Sequence, residues 1–180
     1  MKIALITNSR IPSLTANSIQ AMKVAQALMQ LGHDVRMYAP TEGERISITM
    51  LREHYGLRFV PDLEWIPSIK GFKRLDFIML AQRAARKFKP DLIYTWLPQS
   101  AVLGLWSGHP VLLEMHADVA GRMGAWWLRR FWMARGQRRM AVTTSALRHA
   151  LERSTGMKFP EGAVVIAPNG VELERYADLP

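Results

Sequence analysis

Residues 2–39 read KIALITNSRIPSLTANSIQAMKVAQALMQLGHDVRMYA, and they hold one complete strand–helix–strand unit. Lys2 to Thr7 is a short apolar run without helical period and reads as a buried first strand. Asn17 to Leu31 follows at helical spacing. Ile19, Met22, Ala25, Leu28 and Met29 fall roughly on one face, Asn17 stands where a cap belongs, and Gln20 lies three residues on. Gly32 ends the helix, and His33 to Ala39 returns as a second strand. Two strands joined by a helix in so short a span pair in parallel.

The pattern continues through the chain. Glu44 to His54 reads as a short helix, Leu57 to Val60 as a third strand, and Pro61 to Ser68 as a connection. Gly71 to Phe88 is a helix stopped by Pro90. Asp91 to Trp96 is a strand, Pro98 to Trp106 an apolar helix, and Pro110 to Met115 a strand. Ala120 to Arg138 reads as a long helix and Met140 to Thr144 as a strand. Ser145 caps a helix running to Arg153, and Ala163 to Ala167 is the last strand. The expectation is a Rossmann-like α/β domain of about seven mostly parallel strands, with helices on both faces. Neither a repeat nor a low-complexity linker interrupts it.

Composition narrows the class. The chain has 180 residues, 49% of them hydrophobic, enough for one sizeable core. The opening apolar run is too short for a signal peptide, and nothing approaches the roughly 20 apolar residues of a membrane span. The chain has 0 cysteines, so neither a disulfide framework nor a thiolate metal site exists. These features point to a cytoplasmic domain without a metal or cofactor of its own.

The net charge of +9 is unevenly placed, for eight arginines and a single acid, Glu152, lie between Arg122 and Arg153. Such a field attracts nucleic acid, anionic lipid or phosphorylated small molecules. Nucleic acid is disfavoured, because the arginines sit around one amphipathic helix and neither an aromatic sheet platform nor a recognition motif accompanies them. The basic segment also carries Trp126, Trp127 and Trp132 beside Arg129, Arg130 and Arg135. Indole rings and arginines on one helix suit the headgroup region of an anionic membrane, which would make the domain peripheral at the inner face. The plainer alternative is a packed aromatic stripe with a solvated basic back.

Four segments, taken in order, resemble the N-terminal domain of family-4 retaining glycosyltransferases, which have the two-lobed GT-B fold. Ala25 to Val35 looks like that family's "LA..L...GH.V" crossover. Lys89-Pro90-Asp91-Leu92-Ile93-Tyr94 resembles its "KPD.IH" segment, with Tyr94 where a His is common. Glu114-Met115-His116 is similar to the strand that ends in a His at the cleft. Val165 to Glu172, followed by Tyr176, resembles "IPNGVD...F", which leads into the second lobe.

The resemblance implies residues 1–168 as the acceptor-side lobe and residues 169–180 as the start of an interdomain linker. The donor-binding lobe, with the paired-glutamate motif the family uses there, is not contained in this chain. It implies transfer of a sugar from a nucleotide-sugar donor to a lipid-linked or saccharide acceptor, with retention and without metal, by a lobe inactive alone. A sugar-nucleotide epimerase of the same architecture is the alternative within the fold, and a basic nucleic-acid-binding module the alternative outside it.

In an open α/β sheet, ligands sit beyond the carboxyl ends of the strands. His116 is the candidate catalytic residue there. The resemblance sets it near the transferred sugar, where an imidazole can hydrogen-bond a hydroxyl and stabilise an oxocarbenium-like transition state. Glu114 is expected to turn to the other face of the strand or inward. Arg10, Asn17, Ser18, Trp96 and Asp118 are the candidate donor or acceptor contacts. The loop Asn8 to Ser18 departs from the family's glycine-rich form and contains no glycine. Its side chains obstruct close backbone approach to a diphosphate.

Overall fold

The computed structural model describes residues 1–41, 46–68 and 75–170. Seven parallel strands form one sheet in the order β3-β2-β1-β4-β5-β6-β7. β1 (Lys2–Ile6), flanked on both edges, is buried from Ile3 onward, as a strand covered on both faces must be.

Helix α1 (Ala16–Gln30) follows, and its cap differs from the sequence expectation. Thr15 is the N-cap, its side chain accepting the Ser18 N–H at 3.4 Å, so Asn17 lies inside the first turn. Gly32 leaves the helix at φ +81°, a conformation that costs glycine little. β2 (Asp34–Pro40) and α2 (Ile48–Tyr55, capped by Ser47) come next. The sequence expectation began α2 at Glu44, and its first two residues lie outside the described ones.

The third strand was misplaced. β3 is Asp62–Ile66, within the stretch expected to be a connection, and pairs with β2 from Arg36↔Asp62 to Pro40↔Ile66. Leu57 instead closes α2, its N–H donating to Arg52 O at 2.9 Å while its side chain is buried. A buried Leu after a helix-ending Gly56 is a helix-terminus device that local apolar content mistakes for a strand.

Helix α3 (Leu75–Phe88), β4 (Leu92–Thr95), α4 (Pro98–Trp106) and β5 (Val111–Met115) fall within about four residues of expectation; the first four residues expected of α3 lie outside the described ones. α5 (Gly121–Met133) is shorter than expected. Ala134 is extended and Gly136 takes φ +115°, so the chain turns early into β6 (Arg138–Val142), whose Arg138 pairs with Val111. Thr144, one residue before the expected cap, caps α6 (Ser145–Thr155), accepting Leu147 N–H at 3.0 Å. β7 (Val164–Ile166) closes the sheet, and Asn169 and Gly170 are exposed beyond that edge.

Two apolar layers sandwich the sheet. α3, α4, α5 and α6 pack Phe77, Leu105, Leu128, Phe131 and Leu151 against one face. α1 and α2 pack Met22, Ala25, Leu51 and Tyr55 against the other.

Candidate functional site

In this strand order the connections depart in opposite directions from β1 and β4, and the crevice opens beyond their carboxyl ends. The ends are tied together by Thr95, whose hydroxyl donates to the Ile6 carbonyl at 2.8 Å and accepts the Leu97 N–H at 3.2 Å. Beyond them lies an open cleft of about 530 Å³. β1 leads into it through Thr7, Asn8 and Ser9, β4 through Trp96, and β5 through Glu114 to Asp118.

The centre of the cleft wall is a three-residue chain. His116 Nε2 lies 2.5 Å from Glu114 Oε1, and the Tyr94 hydroxyl donates to Glu114 Oε2. Glu114 and Tyr94 are both buried, whereas His116 is half-buried and reaches the cleft. Glu114 therefore does not turn away from His116. Residues two apart in a strand share a face, and Glu114 and His116 keep that relation although His116 stands one residue past the end of β5. Burial, then the neighbouring Glu114 charge, then the hydrogen bond to Glu114 push the Tyr94 phenol well above its ordinary pKa, so it remains a donor at neutral pH. Its ring stacks on Trp96 at 5.3 Å between centroids, which steadies the indole that lines the cleft.

Of the other expected contacts, Asn17 and Asp118 line the cleft, while Arg10 is exposed and is not part of its wall. Ser18 is also elsewhere: it is fully buried, its hydroxyl donating to Ser13 O at 2.6 Å. The glycine-free loop is a pinned structure. Ser13 N–H donates to the Tyr55 hydroxyl at 2.8 Å, Trp65 Nε1 to Ile11 O at 3.2 Å, and Ile11 is buried. Its inward side chains belong to the fold, which leaves Asn8, Ser9 and Asn17 as its polar residues at the cleft. Asp118 Oδ1 accepts the Val119 N–H at 2.8 Å and Oδ2 accepts the Ser154 hydroxyl at 2.7 Å.

The tryptophan–arginine segment is divided by the fold. Trp132 is 6% exposed and stacks on Phe159 at 5.0 Å, so it is core and not surface. Trp127 is half-buried against the same layer. Trp126 is 37% exposed, with the Arg130 guanidinium 5.0 Å from its ring centroid. Arg129 is anchored through Nε to Thr155 O at 2.5 Å. Arg135 is exposed, but beyond the helix end, and Arg138 and Arg139 belong to β6. The outer face of α5 is therefore Arg122, Met123, Trp126, Arg129, Arg130 and Met133. Among the described residues no helix is long and apolar enough to cross a membrane, and no group of three or more His, Asp or Glu could hold a metal.

Residues 18–175 match the model of Glycosyltransferase Family 4. Sequence comparison with curated proteins gives no match. Among solved structures, Anabaena HepE in complex with UDP and glucose aligns with TM-score 0.64 at 15% identity, over 98% of this chain and 46% of that one. The lipopolysaccharide outer core galactosyltransferase WaaB aligns with TM-score 0.64 at 12% identity, over 95% and 46%. UDP-GlcNAc 2-epimerase from Neisseria meningitidis, bound to UDP-GlcNAc, aligns with TM-score 0.56 at 13% identity, over 92% and 46%. At these identities the likeness is one of fold, that of a GT-B half. The chain spans about half the length of each of these proteins.

Proposed function

Because the chain belongs to Glycosyltransferase Family 4, we propose that its cleft is the acceptor-side half of a site that moves a sugar from a nucleotide-sugar donor to a lipid-linked or saccharide acceptor. The observation that carries this reading is the Glu114–His116 pair at the end of β5, buried behind and open in front. Glu114 holds Nε2 and so directs the other ring nitrogen, Nδ1, away from itself. An imidazole fixed in this way can hydrogen-bond a sugar hydroxyl and, beside a carboxylate, bear positive charge; either helps a transition state that develops charge at the sugar. Asn17 and Trp96 offer the acceptor a polar contact and an aromatic wall.

A second lobe of the same fold class, in the same or another polypeptide, supplies most donor contacts and closes over the cleft, and residues 169–180 begin the connection to it. Transfer with retention and without metal belongs to this reading. So does contact of the outer face of α5, through Trp126 and Arg130, and of Arg135 just beyond the helix end, with an anionic membrane at which a lipid-linked acceptor is met.

The test is release of nucleoside diphosphate by the two-lobed enzyme from a panel of nucleotide-sugars, with and without saccharide or lipid-linked acceptors. Release that needs an acceptor carries the proposal. Conversion of the donor sugar without any acceptor moves the protein to the epimerase reading, since the Neisseria epimerase shares this fold.

A further inference from the structure

Beside the cleft, and sharing Val119 and Met123 with it, an open groove of about 970 Å³ runs along α5. Its walls are Arg122 and Arg129 on one chemistry, and Met123, Ala125 and Trp126 on the other, with Ser154 opposite. The groove begins where the cleft ends, so a ligand can occupy both at once.

Charge selects what the groove can take. From Val119 to Leu151 the sequence holds seven arginines and not one carboxylate. The two carboxylates at the ends of that stretch are already engaged. Asp118 accepts from Val119 N–H and Ser154, and Glu152 accepts the Phe159 N–H at 3.1 Å and lies 3.1 Å from Lys158 Nζ. Arg129 uses its Nε–H on the Thr155 carbonyl. A guanidinium has five N–H donors, so four remain on its Nη atoms, fixed in direction by that anchor. Arg122, seven residues earlier and exposed, is a second guanidinium on the same wall. Two guanidiniums without an acid between them match a phosphate, which accepts paired N–H bonds. Met123, 65% exposed, and Trp126 give the same groove an apolar floor that a phosphate alone would leave wet.

We infer that this groove is the acceptor's phosphate subsite: Arg122 and Arg129 bind the phosphate or diphosphate of a lipid-linked acceptor, and Met123 and Trp126 hold the first part of its hydrocarbon chain. The inference rests on the acceptor-side reading of the cleft and narrows it, because an acceptor bound here is anionic and amphipathic. Its sugar end would lie in the neighbouring cleft beside His116, and its tail would run out along α5.

Binding, measured without turnover, tests it independently of sugar transfer. The 180-residue chain, labelled with ¹⁵N, is titrated with dodecyl phosphate below its micelle concentration, and with dodecyl maltoside and inorganic phosphate as controls. Dodecyl phosphate should shift the Gly121 and Gly124 amides and the Trp126 indole N–H saturably, with both controls at least about tenfold weaker. Arg122→Gln should weaken binding about tenfold, whereas Lys87→Gln, equal in charge but exposed on α3 and off the groove, should not. Trp126→Ala should weaken the alkyl phosphate while leaving the response to inorganic phosphate unchanged. Equal binding of the maltoside, equal weakening by Arg122→Gln and Lys87→Gln, or shifts that spread over the basic surface would each overturn the subsite. Normal subsite binding in an enzyme that fails to transfer sugar would instead count against the catalytic reading alone.

Discussion

His116 Nε2 lies 2.5 Å from Glu114 Oε1, and the same carboxylate takes the Tyr94 hydroxyl on its other oxygen. A buried carboxylate held from both sides is a rigid backing for the imidazole. In the two-lobed enzyme, His116→Ala should lower turnover about a hundredfold with little loss of stability, since a half-exposed ring leaves a small void and one transition-state hydrogen bond disappears. A variant that melts early yet turns over normally would make His116 a packing residue.

Glu114 should behave as a positioning residue. Glu114→Gln keeps the shape and one acceptor oxygen, so we expect kcat to fall about tenfold with KM nearly unchanged, and the double variant with His116→Ala to be no worse than His116→Ala alone. Glu114→Ala should also cost roughly 1–3 kcal/mol of stability, because it leaves the buried Tyr94 hydroxyl without its acceptor. Additive losses in the double variant would show that the two residues act separately.

The isolated 180-residue chain should bind nucleotide-sugars weakly and transfer nothing. The cleft offers a donor neutral side chains such as Asn8, Asn17 and Gln20, with no lysine or arginine among the described residues of its wall, and its pinned loop keeps the backbone from close approach to a diphosphate. Such contacts barely offset the freedom lost on association. Micromolar affinity by calorimetry would mean that this lobe holds the donor.

Vesicle sedimentation checks the membrane contact. The chain should pellet with anionic vesicles at low salt, stay in solution at high salt and ignore neutral vesicles, because each surface arginine contributes about 1 kcal/mol, screened beyond a Debye length of about 8 Å. Arg130→Glu with Arg135→Glu should abolish pelleting without lowering Tm, as both are exposed. Identical pelleting of wild type and variant would leave α5 an ordinary packed helix.

Acid should loosen the end of α6. The Phe159 N–H donating to Glu152 holds that carboxyl below its ordinary pKa, with Lys158 and Arg148 adding to the effect and burial opposing it. A depressed folded pKa gives stability that is present above the unfolded value, about 4.3, and lost as pH falls through the folded one. Melting temperature should therefore drop on acidification below about pH 4.5 less steeply in Glu152→Gln than in wild type. Parallel curves would remove Glu152 from the acid transition.

The strands of the sheet's interior were legible because pattern and burial agree there: β1 is a short apolar run, and β2, β4 and β5 are mainly apolar segments bounded by Gly or Pro. β3 was not, because Asp62-Leu63-Glu64-Trp65-Ile66 is an edge strand whose charges face solvent, while buried Leu57 nearby mimicked a strand. The cleft was located from His116, but its supports needed three dimensions. Tyr94 reaches Glu114 from a neighbouring strand, and Ser18 and Trp132 are inside for reasons only the packing supplies. A helical wheel cannot tell that Trp132 meets Phe159, twenty-seven residues on.

The bond from Thr95 to the Ile6 carbonyl joins positions 89 apart. It carries a consequence for the order in which the molecule is made. β1 leaves the ribosome well before its β4 neighbour, which follows only after β2, β3 and three helices have been synthesised. Parallel pairings of such long range form slowly, since a large loop must close before any contact rewards it. Until then Ile3 to Ile6 is a sticky, half-paired strand, and the crevice that β1 and β4 create does not exist. Nascent chains halted before residue 92 should consequently engage holding chaperones, while those carried past β5 should resist protease at β1.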